Sequence, residues 1–330
     1  MAEAEDLREF VPESCEELFE KSSTELRSAI PELARDKGRM KEIERAVKSL
    51  PSHHELYQRD SRDLSFLDDE SVHLAVTSPP YFNLKDYENG TGGEDQLGDI
   101  DNYDHFNEQV DQVWNQIYDK LVPGGRLVVV IGDVLRSRSE HGRHRVLPLH
   151  ATIQEHCVEM GYDNLAPIIW YKIGNASLES GSNARFLGKP YEPGAVIKND
   201  IEYILLFRKP GRYRSPSIEE KILSVIEADE HQQMFRQLWD DINGEPQVNH
   251  PAPFPVKLAE RLIRMFSFVG DTVLDPFAGT GTTSVAASRV GRNSISIELE
   301  EQYLDVAERR MQDERGKLTN YQNLSVDISR

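Results

Sequence analysis

The chain has 330 residues, 38% of them hydrophobic, and can therefore bury a substantial core in one large domain or two small ones. No apolar run approaches the ~20 residues of a membrane span, the N-terminus Met1-Ala2-Glu3-Ala4-Glu5-Asp6 is acidic where a signal peptide is basic, and Cys15 and Cys157 lack zinc-site spacing. A soluble, cytoplasmic protein without disulfides, structural metal or membrane partner is expected, and its formal charge of −19 repels nucleic acid unless the cations are gathered on one surface.

Residues 1–55 read as a helical extension, with Leu18, Phe19, Leu26, Ile30, Leu33, Ile43, Val47 and Leu50 spaced among charges and breaks at Pro31 and Lys37-Gly38. The stretch carries no catalytic signature, and packing on the main domain is its expected role. From 56 to 330, short apolar runs alternate with amphipathic segments, the pattern of an α/β domain with a mostly parallel sheet. The predicted strands are Leu56–Arg59, Val72–Thr77, Arg126–Gly132, Leu165–Tyr171, Ile201–Arg208, Thr272–Leu274 and Ser294–Ile297. Between the second and third, Tyr103–Leu121 is an amphipathic helix, stopped by Pro123-Gly124-Gly125.

Three segments, 136–148, 173–200 and 210–249, leave this pattern, and they are where basic residues collect. Residues 136–214 hold 12 Lys and Arg against 8 Asp and Glu, a net of +4 that leaves −23 for the rest. The first segment carries Arg136, Arg138, Arg143 and Arg145; the second carries Arg185 and Lys189 in a long connection without apolar pattern, a kind that is often functional. These six cations are the candidate nucleic-acid contacts.

Two stretches carry chemistry. The first, Thr77-Ser78-Pro79-Pro80-Tyr81, closes the second predicted strand. An aromatic amine is a poor nucleophile because its lone pair spreads into the ring, and two acceptors aimed at its N–H bonds bring that pair out. The Ser78 hydroxyl and the Pro79 carbonyl can be those acceptors, since Pro79 and Pro80 fix φ and offer no competing N–H. Tyr81 supplies a face for stacking, with Phe82 nearby. Ser-Pro-Pro alone favours a strand ending in a proline-stiffened turn. The second stretch, Asp275-Pro276-Phe277-Ala278-Gly279-Thr280-Gly281-Thr282-Thr283, is a strand end, a glycine-rich turn and a helix start, the usual device for bringing backbone close to a ligand. No Lys follows its second glycine, which argues against a nucleoside triphosphate, and the next strand ends at Glu298, placed as an acid for ribose hydroxyls.

With both motifs present in this order, residues 56–315 resemble the amino-group DNA methyltransferases, in the circularly permuted group whose catalytic motif (TSPPY) precedes its cofactor motif (DPFAGTG). The resemblance implies a seven-stranded methyltransferase fold and S-adenosylmethionine as cofactor. By it, Asp275 and the turn through Thr282 cradle the methionine part, Glu298 the ribose and Asp60 the adenine, and His250, before the helix Val256–Phe266, completes the methionine pocket. It also implies duplex DNA with a short specific site as partner and a flipped-out target base held by Ser78, Pro79, Pro80 and Tyr81. A cognate restriction enzyme and a homodimer are left open. The expected product is N4-methylcytosine, because neither cysteine lies in a Pro-Cys motif for ring-carbon chemistry and serine leads the motif. The alternatives are an N6-adenine enzyme, an N-methyltransferase of RNA or protein, and a catalytically silent DNA-binding protein.

Overall fold

The computed structural model describes residues 7–82, 96–136, 142–172, 199–244, 254–317 and 324–330. The chain starts with two 3₁₀ turns and helices α1 (Ser23–Leu33) and α2 (Lys37–Val47). Ser22 and Glu25 form a capping box ahead of α1, and the Asp36 carboxylate accepts from the Gly38 and Arg39 amides to start α2. Pro31 therefore does not break α1, which ends two residues beyond it, and Lys37-Gly38 is the first turn of a helix rather than a breaker.

The remaining elements build one sheet. Its strands are β1 (Ser52–Gln58), β2 (Val72–Thr77), β3 (Leu121–Ile131), β6 (Asp163–Tyr171), β7 (Ile201–Arg208), β8 (Leu238–Trp239), β9 (Thr272–Asp275), β10 (Asn293–Glu298) and β11 (Leu324–Ser329); β4 (Val134–Arg136) and β5 (Arg145–Leu147) form a separate hairpin. The sheet order is β11-β1-β10-β9-β2-β3-β7-β6-β8, and only β7 runs antiparallel to its neighbours. All seven expected strands form. β1 begins earlier than expected because its inward residues are polar: buried His54 bonds the Ser294 and Ser52 hydroxyls. β8, β11 and the hairpin were not expected; β11 buries only Leu324, so it carries no apolar alternation to read.

Period-two alternation divides the core in two. Ala75, Leu127, Val129, Ile131, Leu205 and Phe207 face helices α3 (Tyr103–Lys120) and α4 (Leu149–Glu159); Leu74, Val76, Val128, Val130 and Ile204 face α7 (Val256–Phe266) and α8 (Thr282–Arg289). α9 (Glu301–Lys317) follows β10. The third segment expected to leave the sheet contains the short helices α5 (Ile218–Leu223) and α6 (Ala228–Met234). Ile222 and Leu223 of α5 pack with Leu18, Leu26, Leu33 and Ile43 of the extension, and Arg214 is committed to Glu220 and Asp271 at the N-terminal end of β9. Among the described residues, no helix is long and apolar enough to cross a membrane.

Two features of this sheet place the site. Strands β1, β2, β3, β9 and β10 all end at the same edge, and β2 and β9 are neighbours from which the chain winds in opposite directions, β2 to β3 and β9 to β10. Such a switch point leaves a crevice beyond the strand ends that no crossover covers.

The extension shares a buried cluster with the body, so it belongs to the cooperative unit. Leu33→Ala, at a fully buried position, should cost about 2–5 kcal/mol in urea unfolding, as large-to-small core changes do. A midpoint equal to wild type would show the extension to be energetically separate.

Candidate active site

Both motifs rise from the switch point. β2 ends at Thr77 and β9 at Asp275, and the Asp275 carboxylate joins them: Oδ1 accepts from the Thr77 hydroxyl at 2.7 Å and the Phe277 amide at 3.1 Å, and Oδ2 from the Thr283 hydroxyl at 2.6 Å. Asp275 is 1% exposed, and burial pushes its pKa up to about 6 against the three hydrogen bonds that lower it. Its carboxylate is thus turned inward, away from the pocket in which the resemblance puts it.

The turn after β9 is shaped by two glycines with positive φ, Gly279 at 51° and Gly281 at 75°. At Gly281 a Cβ would come within 2.8 Å of Ala307 Cβ, so the turn lies hard against α9. The Arg310 guanidinium, also on α9, reaches the Thr280 carbonyl and hydroxyl, both at 2.8 Å, and the Thr282 hydroxyl at 3.2 Å. Ala278 through Thr282 are buried behind the turn, while Pro276 and Phe277 reach its open side.

Glu298, at the end of β10, closes the arrangement. Its carboxylate accepts from the Gly279 amide at 2.7 Å and the Glu300 amide at 2.9 Å. Although the residue is partly exposed, enough protein surrounds the carboxyl to push its pKa up to about 7, with nearby Asp275 and Glu300 adding to the burial effect. Beyond the strand ends lies a pocket with Ser78 and Pro80 on one side, Pro276, Phe277 and Glu298 on the other, and Asp60 and Tyr303 among its remaining walls. The structure therefore brings the two motifs, 195 residues apart at Pro80 and Asp275, to one cavity. Asp60 holds the Arg62 amide at 2.9 Å and the Arg62 guanidinium, and the Ser61 hydroxyl donates to the Pro276 carbonyl, tying the end of β1 to the turn.

The two aromatic residues of the first motif have different fates. Tyr81 is 5% exposed and donates its hydroxyl to Glu202 at 2.6 Å. Phe82 is fully buried, in edge contact with Tyr103 and beneath the Arg136 guanidinium at 4.8 Å. Phe82 is therefore a core residue, and the stacking contribution expected of it is withdrawn.

Of the candidate DNA contacts, Arg143 and Arg145 are exposed on the hairpin that leaves the same sheet edge after β3, and Arg136 is half-buried; Arg138, Arg185, Lys189 and His250 lie outside the described residues. Sequence reasoning missed Glu202, which accepts from the Tyr81 hydroxyl, and its partner Lys172. An acid among the apolar residues of β7 was the available signal for Glu202. Among the described residues, no cluster of His, Cys, Asp and Glu has the form of a metal site.

Residues 72–309 match the DNA methylase family. The chain belongs to that family. Among its curated relatives, the type II methyltransferase M.MthZI of Methanothermobacter thermautotrophicus is 36% identical over 81% of this chain and 78% of its own length; M.MjaI of Methanocaldococcus jannaschii is 35% identical over 79% and 92%. Among solved structures, TTHA0409 of Thermus thermophilus, crystallised with S-adenosyl-L-methionine, is 46% identical, with a TM-score of 0.67 over 84% of this chain and 98% of its own. The PvuII cytosine-N4-specific DNA methyltransferase, at 21% identity and a TM-score of 0.56, shares the fold. For this methylase fold, strand count differs from the seven expected: nine strands form the main sheet among the described residues.

The buried Asp275 gives a test by pH. Its folded pKa of about 6 exceeds the ordinary 3.8, so the folded state holds the proton more tightly and the associated stability, full below pH 3.8, is lost as pH rises through 6. Asp275→Asn should flatten the fall in melting temperature across that window, leaving the part due to Glu298. A variant as pH-dependent as wild type would place the titrating carboxyl elsewhere.

Proposed function

We propose that the chain is a site-specific DNA methyltransferase that moves a methyl group from S-adenosylmethionine to the exocyclic N4 of cytosine in duplex DNA. The observation that carries this reading is the shared cavity of Ser78, Pro80, Pro276, Phe277 and Glu298 at the switch point. Its donor set suits that cofactor. The turn offers backbone and no cationic side chain for phosphates, and Glu298 is a carboxyl able to accept from ribose hydroxyls. The bound cofactor supplies a sulfonium methyl group, a donor strong enough to need no metal.

This chain's residues then have three tasks. Pro276–Gly281 and Glu298 hold and orient the cofactor, with Asp60 on the adenine side. The Ser78 hydroxyl and the Pro79 carbonyl accept the N–H bonds of the target amine and localise its lone pair for in-line attack. The flipped base, which costs a few kcal/mol to unstack, regains part of that against Tyr81. Cysteine chemistry at the ring carbon has no support: both cysteines are buried, and burial pushes the Cys157 thiol far up and the Cys15 thiol up. Serine rather than aspartate at the head of the motif supports cytosine over adenine. The type II names of the relatives support a short specific site and a partner restriction enzyme.

The test is transfer of labelled methyl to unmethylated duplex DNA, followed by digestion to nucleosides and mass spectrometry. N4-methylcytosine is expected; N6-methyladenine alone would overturn the cytosine assignment and leave the amino-methyltransferase reading standing. Ser78→Ala should lower turnover by about 100-fold or more while cofactor affinity stays within about twofold, the split that marks an interaction made in the transition state.

The exposed Arg143 and Arg145 are proposed to meet phosphates. Changing both to Ala should weaken binding to every duplex and reduce the slope of log affinity against log salt by about 0.9 per lost contact. An unchanged salt titration would remove them from the interface.

A further inference from the structure

The far side of Tyr81 is built around a largely buried ion pair, its Lys172 side chain 14% and its Glu202 side chain 8% exposed, that the proposed chemistry does not use. Glu202, the second residue of β7, is 6% exposed, and one of its carboxylate oxygens takes both the Tyr81 hydroxyl and the Lys172 ammonium. Lys172 follows β6 directly, and its amide donates to the Asp200 carbonyl at 3.0 Å, so both charges stand on adjacent strands whose ends are clasped. The Tyr81 ring edge runs beside Gly132, where a Cβ would sit 3.5 Å from Cε1 and 3.4 Å from Glu202 Cγ.

Taking two charges out of water is unfavourable, and apolar residues of similar size would hold such a sheet end at least as well. The pair therefore calls for a role other than stability. A phenol ring can turn about two side-chain torsions, and a hydrogen bond from its far end to a fixed carboxylate removes that freedom. The carboxylate is fixed in turn by Lys172.

We infer that Glu202, clamped by Lys172, is a positioning residue that sets the plane of Tyr81 so that its ring forms a rigid wall of the target-base slot. This rests on the reading of the protein as a methyltransferase acting on a flipped base. A wall set before the base arrives needs no ordering in the transition state, so its loss lowers the rate of transfer rather than the affinity for cofactor.

The experiment compares wild type, Tyr81→Phe, the paired change Lys172→Met with Glu202→Leu, and all three changes together. The paired change removes both charges at once and strands neither. Each protein is given labelled S-adenosylmethionine and unmethylated bacterial genomic DNA, and its melting temperature is recorded. Tyr81→Phe alone and the paired change alone should each lower kcat by about tenfold, with KM for the cofactor within about twofold of wild type. Because both act through one hydrogen bond, adding Tyr81→Phe to the paired change should cost less than about twofold more. If Tyr81→Phe keeps its full effect in that background, or if the paired change turns over like wild type, the inference is overturned. Should the paired change not fold, Glu202→Gln takes its place, with a smaller loss of kcat and the same non-additivity expected. Failure of the wild-type protein to label DNA would instead sink the methyltransferase reading itself.

Discussion

One buried carboxylate holds the two halves of this site together. Asp275 ends the strand that leads into the glycine turn, yet its oxygens are taken by Thr77, at the head of the other motif, and by Thr283, in the first turn of α8. Segments nearly two hundred residues apart in sequence are thereby fixed to within a hydrogen bond of each other. An unpaired charge at this depth would be costly, and three donors to one carboxylate make it tolerable. The raised pKa is what remains of the burial cost after those bonds are counted.

The same region shows how a parallel sheet assembles a site from distant sequence. Ser78, Asp60, Pro276 and Glu298 follow or end four different strands, and they meet only because those strands point the same way and the winding reverses between β2 and β9. Residues from separate stretches of the chain, the acids Asp60 and Glu298 among them, thus share one cavity. Burial tunes Asp275 and Glu298 differently from surface carboxylates, with Glu298 drawn towards neutrality by its surroundings and by Asp275.

Much of this was legible beforehand, for identifiable reasons. β2 and β7 are long apolar runs, and their bounds match the expected ones residue for residue; α7 also matches, because its apolar stripe and the prolines ahead of it leave little freedom. What escaped was held by polar contacts or lay at an edge. The start of β1 is carried by Ser52 and His54, whose burial depends on Ser294 from a distant strand, and no local pattern announces that. Phe82 read as a stacking residue because it follows the motif, but chain direction turns it into the core against Tyr103 and Phe106. Asp275 was visible as a motif residue, whereas the identity of its partners required the fold.

The ladder at the end of β6 and β7 has an evolutionary implication. Trp170 pairs with Glu202 and Tyr171 with Ile201, so the sheet is already closed at the point where the chain departs and returns. Residues added between two strands closed in this way cost the entropy of closing a longer loop, which rises slowly with loop size. Such an arrangement tolerates added length between the strands while the register of the ladder is kept.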